Sequence, residues 1–161
     1  MNIVLSASPR VEIVDADSDH AFAMAPNLRK ADVEEIAALT DQTPLSALVE
    51  SMRASSRAYT VLVDGDPVIM FGVVVHPDDA DTGIPWMLAT DGLYRIRRIF
   101  LRFGAPVAAR AFEGFKRLCN ITAGSNRAAH RWLRLLGFSL GPDMPGAGRN
   151  GEDLLFFYKE T

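Results

Sequence analysis

The 161 residues are 48% hydrophobic and 23% charged, with a net charge of −3, the balance of a folded globular chain with one core rather than a disordered one. No run approaches the roughly 20 apolar residues of a membrane span, and no basic start followed by an apolar stretch marks a secretory leader. A single cysteine, Cys119, excludes an internal disulfide, and His20, His76 and His130 are too scattered for a metal-ligand set, so no metal and a reducing cytoplasm are expected.

Charge is unevenly spread. Residues 61–90 carry 5 acidic and no basic side chains, whereas 91–140 carry 10 basic and 2 acidic ones. Such a basic segment is either a place for anions to dock or a pair of helices with solvated arginine faces. An acidic remainder without interleaved exposed aromatics argues against nucleic acid as partner. Lysine-bearing phosphate loops, dinucleotide fingerprints and serine elbows are absent.

In chain order, Val11–Val14 reads as a short strand, with Asp15 and Asp17-Ser18-Asp19 offering helix caps after it. Helical signals follow over 20–40 in two pieces broken at Pro26-Asn27, the second with Leu28, Val33, Ile36 and Leu39 on one face. Thr43-Pro44 predicts a capped helix start, and Leu45, Leu48, Val49 and Met52 share a face. The first third is therefore predicted to be one strand and then helix. Beyond it the period changes to two. Tyr59–Val63 and Pro67–Val75 predict a hairpin around Asp64-Gly65, with Gly72 marking a bulge or a close backbone approach. His76–Gly83 reads as an acidic loop, and Ile84–Thr90 as a further strand. Tyr94–Phe103 and Val107–Leu118 read as helix, with Pro106 either kinking one long helix or opening a second. Cys119–Thr122 predicts a strand, Ser125–Leu136 a helix, Gly141–Gly151 a loop and Leu154–Tyr158 a closing strand. The order predicts an α/β fold in which one mixed sheet carries helices on both faces.

The helix near the end carries the most specific pattern. Asn126 can cap it, Gly137 can stop it, and Ala128, Ala129, Trp132, Leu133, Leu135 and Leu136 form an apolar face beside a stripe of Arg127, Arg131 and Arg134. The layout Asn126-x-x-Ala129-x-x-x-Leu133-x-x-x-Gly137-Phe138 resembles the last conserved helix of GNAT-type acyl-CoA N-acyltransferases. In that family the position of Leu133 is usually tyrosine, the acid for the leaving thiolate. The resemblance implies a single GNAT-like domain over 1–161, acetyl-CoA as cofactor, and Asn126, Ala129 and Leu133 close to it.

The family's pyrophosphate loop has the pattern Arg/Gln-x-x-Gly-x-Gly/Ala, in which backbone amides and a helix dipole hold the phosphates. Starting that pattern at Arg98 places Leu101 and Phe103 where small residues belong. Either Arg95, Arg97 and Arg98 replace the glycine cradle with guanidinium–phosphate contacts, or they face water or a partner. No general acid or base is assigned. Tyr94 reads as a packing residue, Cys119 as a buried small hydrophobe and His130 as a surface side chain, while Asp91 is either a base or a helix cap.

Four segments narrow the resemblance: Arg29–Ile36, Gly65–Gly72, Pro85-Trp86-Met87-Leu88-Ala89-Thr90 and Arg131–Phe138. Together they are similar to the small GNAT-like proteins of short-tailed bacteriophages, some described as internal virion or morphogenesis proteins. Two functions follow as expectations: a phage-encoded N-acetyltransferase acting on an amine of a protein or small molecule in the host cytoplasm, or a catalytically degenerate relative that binds a virion or host protein.

Overall fold

A computed structural model describes residues 1–161. Two strands open the chain, β1 (Ile3–Ala7) and β2 (Arg10–Asp15), followed by helices α1 (Ser18–Met24), α2 (Lys30–Leu39) and α3 (Pro44–Ala54). A meander of β3 (Ser55–Val63), β4 (Asp66–His76) and β5 (Asp79–Ala89) comes next, then a 3-10 turn (Asp91–Ile96) and helix α4 (Arg97–Ala111). The chain ends with β6 (Arg117–Ala123), α5 (Arg127–Leu135), β7 (Ser139–Met144) and β8 (Leu154–Glu160). All eight strands join in one sheet of order β1-β2-β3-β4-β5-β6-β8-β7, antiparallel at every junction except β5–β6.

Alternation along the strands divides the interior into two layers. Ile69, Phe71 and Val73 of β4 face one way, into a core shared with Val11, Ile13, Val61, Leu93, Phe112, Phe115 and Phe157, against which α4 and Leu133 and Leu136 of the α5 segment pack. Met70, between them, faces the other way with Leu88, onto Ala21, Met24, Ile36, Ala47 and Leu48 of the first three helices. The expected mixed α/β sheet with helices on both faces is the observed one.

Several local expectations hold for the reasons that suggested them. Asp17 caps α1, Thr43 caps α3 ahead of Pro44, and Asp64-Gly65 makes the β3–β4 turn with both φ angles positive, at 51° and 90°. Gly72 does mark a close approach: it pairs with Ala58 beside the β3 bulge between Ser55 and Arg57, and a Cβ at 72 would sit 2.6 Å from the carbonyl oxygen of Arg57.

Other expectations are corrected. The first third holds two strands, because Ile3 and Leu5 alternate with an exposed Val4 on an edge strand too short to show a period. The acidic stretch 76–83 is mostly strand: β4 and β5 run on as a two-stranded ribbon whose Asp79, Ala80 and Asp81 are exposed, so both of its faces meet solvent there and no apolar alternation marks it. Pro106 lies inside a single helix, α4, which stops at Ala111. Phe112, Phe115 and Leu118 recur every third residue and mimic a longer helix, but they fold under the sheet around Gly114 at φ +97°. Part of the glycine-rich 141–151 stretch is strand, since β7 covers Ser139–Met144. Tyr94 is exposed and His130 is buried, the reverse of their expected places.

Candidate functional site

The parallel junction of β5 and β6 is paired only at Thr82–Arg117 and Gly83–Leu118. Beyond that point the strands separate, and side chains replace the missing rungs. At the apex Asn120 Nδ2 donates to the Pro85 carbonyl at 2.9 Å, while Asn120 Oδ1 accepts from the Ile121 N–H at 2.7 Å. In an extended strand the nitrogen and carbonyl of one residue point to the same side. Pro85 therefore lacks its donor toward β6, where no ladder bond is lost.

Helix α2 spans the open end of the wedge with two carboxylates one turn apart. Asp32 accepts from the Ala89 N–H of β5 at 2.9 Å and from Arg29 through Nε at 3.0 Å and Nη2 at 2.9 Å. The Arg29 N–H in turn donates to the Ala89 carbonyl at 2.9 Å. Glu35 reaches the other arm: its Oε1 accepts from the Ala123 N–H of β6 at 2.6 Å, from Thr122 Oγ1, and at 3.5 Å from Asn126 Nδ2. His130 Nε2 bonds the Ala123 carbonyl at 3.0 Å, so both backbone polar groups of Ala123 at the end of β6 are engaged. Of the β5 residues facing the gap, Pro85 and Ala89 are thus engaged, and the alternation leaves the N–H and C=O of Met87 as the free polar edge.

The wedge encloses a cavity of about 760 Å³ with a mainly apolar wall. Its charged lining is polarised: the Arg29–Asp32 pair and Glu35 stand on the α2 side, and Arg97 and Arg131 on the α4 and α5 side. Burial pushes the Glu35 carboxyl above its ordinary 4.5; the bonds from Thr122 and Ala123 oppose that shift, and the nearby Asp32 charge adds to it. The native state therefore holds this proton more tightly than the unfolded chain does. Its contribution to stability is full below about pH 4.5 and is lost as pH rises through the native value. Glu35→Gln cannot ionise, so its melting temperature should gain on the wild type as pH increases across that window. Thermal melts from about pH 4 to 8 check this, and a pH-independent difference would refute it.

The residues singled out in the sequence do not all converge. Arg97, Asn126, Ala129 and Leu133 line the cavity. Arg95 instead pairs with Asp64 at 2.9 Å on the surface, and Arg98 lines a smaller neighbouring pocket with Ser6 and Arg102 rather than the cavity itself, so the three arginines form no common cluster. This divergence has a simple cause: Arg95 belongs to the 3-10 turn, and Arg97 and Arg98 are consecutive on a helix, where neighbours point about 100° apart. Asn126 is almost fully buried and caps α5, accepting from the Ala129 N–H at 3.2 Å. Neither Cys119 nor His130 lines the cavity, and Thr90, not Asp91, caps the 3-10 turn. Tyr94 lies at the cavity rim, largely exposed.

Glu35 was not legible in the sequence as a site residue. Val33, expected on the buried face of α2, is 39% exposed, whereas Asp32 is 1% exposed. The buried stripe is Asp32, Ile36 and, partly, Leu39. A carboxylate at the i−4 position of that stripe was the one available signal.

No protein-family model and no curated protein sequence matches the chain. Solved structures share its architecture. The ribosomal-protein-alanine N-acetyltransferase of Brucella melitensis superposes with a TM-score of 0.71 at 16% identity, over 92% of this chain and 99% of that one. The ribosomal-protein-S5-alanine acetyltransferase of Vibrio fischeri gives 0.68 at 15% identity, over 99% and 96%. RimL, the ribosomal L7/L12 α-N-protein acetyltransferase, gives 0.68 at 13% identity, over 100% and 96%, and a structure of it in complex with coenzyme A gives 0.63 at 13%, over 98% of each chain. The fold is that of the GNAT-type N-acetyltransferases.

Proposed function

We propose that the chain is an acyl-CoA-dependent N-acyltransferase, with acetyl-CoA as donor and a primary amine as acceptor. The observation that carries this reading is the wedge itself: two parallel strands, paired at one end and separated at the other, around a cavity of about 760 Å³. A cavity of that size suits a cofactor-sized ligand. The free edge of Met87 offers one donor and one acceptor to an extended, amide-bearing arm such as pantetheine, in the manner of an added strand. Asn126, Ala129 and Leu133 supply the α5 wall beside it. Arg97 stands in the first turn of α4 and lines the cavity, where its guanidinium can meet phosphate.

Bound acyl-CoA supplies an activated thioester carbonyl. The chain's part is to hold it, exclude water with an apolar wall, and present the amine in line, which alone is worth several kcal/mol. Leu133 donates no proton, and it packs against the core where the resembled family has its tyrosine. That one residue favours a second reading, a degenerate relative that binds a virion or host protein. The phage origin rests on the similarity of Arg29–Ile36, Gly65–Gly72, Pro85–Thr90 and Arg131–Phe138 to short-tailed phage proteins. Coenzyme A in one neighbour, and neighbours named for ribosomal-protein amines, support the donor and a protein amine as acceptor.

Calorimetric titration with acetyl-CoA tests the proposal. A Kd below about 100 µM, or about −5.5 kcal/mol, is expected. Arg97→Ala should weaken it about tenfold or more, the scale of one charge-assisted bond. Arg98→Ala, whose side chain does not line the cavity, should leave it unchanged. No binding at millimolar acetyl-CoA sinks the acyltransferase reading and leaves the binding-protein one.

A further inference from the structure

We infer that Glu35 is the group that receives the acceptor amine, its free oxygen taking an N–H of the substrate ammonium and then its proton. The inference rests on the acyltransferase reading for the fate of the amine, but the site is built from residues of this chain alone.

The two oxygens of Glu35 are in different situations. Oε1 accepts from Thr122 Oγ1, the Ala123 N–H and Asn126 Nδ2, which hold the carboxylate to the arm of the wedge that carries no cofactor edge. Oε2 accepts nothing from the protein, and it is not sealed away, since the one buried side-chain polar atom without a partner is Thr60 Oγ1. Glu35 is one of the residues lining the cavity, so a ligand seated there is within reach of the carboxylate whose second oxygen is unpartnered. A carboxylate with one oxygen anchored and the other free is a preorganised acceptor, because the anchor fixes its rotamer.

Competing groups are excluded one by one. Asp32 is the only other acid on the cavity wall, and both of its oxygens are taken, by Arg29 and the Ala89 N–H. Cys119 and His130 do not reach the cavity, and Tyr94 sits exposed at its rim. The polarity of the cavity agrees. Its cations, Arg97 and Arg131, stand on the α4 and α5 side, whereas Arg29 on the α2 side is neutralised by Asp32. A cationic amine is therefore drawn to the α2 end, opposite the end that suits phosphate.

The step is a plain proton transfer: the ammonium loses H⁺ to the Glu35 carboxylate, giving neutral amine and carboxylic acid, and the proton later leaves to solvent. The groups that tune it are Asp32 on the same helix and Thr122, Ala123 and Asn126 as neutral donors from β6 and the cap of α5; the other charged groups of the cavity lining are Arg29, Arg97 and Arg131. Burial raises the affinity of the carboxylate for a proton, which brings it closer to an amine and makes the transfer easier.

Glu35→Gln is the discriminating variant, because its amide oxygen can keep the bonds from Thr122 and Ala123 while the charge is lost. The probes are an alanine-initiated tripeptide amide and benzylamine, with the N-acetylated tripeptide as control, titrated by calorimetry without any cofactor. Wild type should bind both amines but not the control, with affinity falling on acidification as Glu35 takes up a proton. Glu35→Gln should weaken amine binding by about tenfold or more and flatten that pH dependence. In wild type labelled with ¹³C at glutamate side chains, the Glu35 carboxyl resonance should move on adding either amine, a readout that needs no variant to fold. Equal amine affinity in wild type and Glu35→Gln, or no binding by either, or a Glu35 resonance that ignores the amines, overturns the inference and makes Glu35 a tether only. Acetyl-CoA binding stays intact in that case. Loss of acetyl-CoA binding with Glu35-dependent amine capture preserved would instead sink the acyltransferase reading alone.

Discussion

Asp32→Ala is expected to destabilise the fold by about 3–5 kcal/mol, the usual result of removing one partner from a buried ion pair. Asp32 is 1% exposed, Arg29 keeps only 11% of its side chain in solvent, and the Ala89 N–H has no second acceptor. The substitution strands a guanidinium and an amide at the same point. For a chain of this length the melting temperature should fall by roughly 6–20 °C. The effect should also reach the wedge, because Asp32 ties α2 to β5 while Glu35 ties it to β6. Hydrogen exchange at Ala89 and Ala123 reads this directly: Ala89 should lose protection first. A variant that melts within a degree or two of wild type would show that the Asp32–Arg29–Ala89 unit contributes nothing net.

Gly72→Ala is expected to cost about 3 kcal/mol, against the small effect usual for this change in a strand. The new Cβ would lie 2.6 Å from the Arg57 carbonyl and 3.0 Å from both Ser55 Oγ and Trp86 Nε1. The first contact is backbone in a bulge and cannot swing away. The other two belong to a hydrogen bond of 2.8 Å from Trp86 Nε1 to Ser55 Oγ, which the methyl would prise apart. Chemical denaturation with tryptophan fluorescence checks both parts: the midpoint should drop, and the Trp86 signal should change in the folded baseline. A neutral or stabilising result would mean that β3 straightens its bulge at no cost.

Much of the scaffold is written locally. The turn at Asp64-Gly65, the caps at Asp17, Thr43 and Asn126 and the alternation through Ile69–Val73 each depend on residues within a few positions of one another, so the sequence exposes them. It failed where local patterns were ambiguous. Polar residues on a two-stranded ribbon look like a loop, and Phe112, Phe115 and Leu118 look helical although they cross a turn.

The site was less legible, and for one reason. Arg95, Arg97 and Arg98 are close in the chain but diverge in space, while Asp32 and Glu35 of α2, Asn120 of β6 and Asn126 at the start of α5 converge on one cavity. Glu35 sits in an acidic run, Asp32-Val33-Glu34-Glu35, that reads as a solvated face. Only its partners, Thr122 and Ala123 nearly ninety positions away, distinguish it from exposed Glu34.

By itself, then, the sequence determined most of the elements and from them an α/β sheet with two helical layers, because hydrophobic period and capping are short-range. The tertiary structure decided that β5 and β6 part beyond Gly83, that α2 holds them open with two carboxylates, and which charges look into the gap. Those outcomes depend on the free backbone edges of two strands and on side chains from distant segments that satisfy them, and no local pattern records a pairing that is missing.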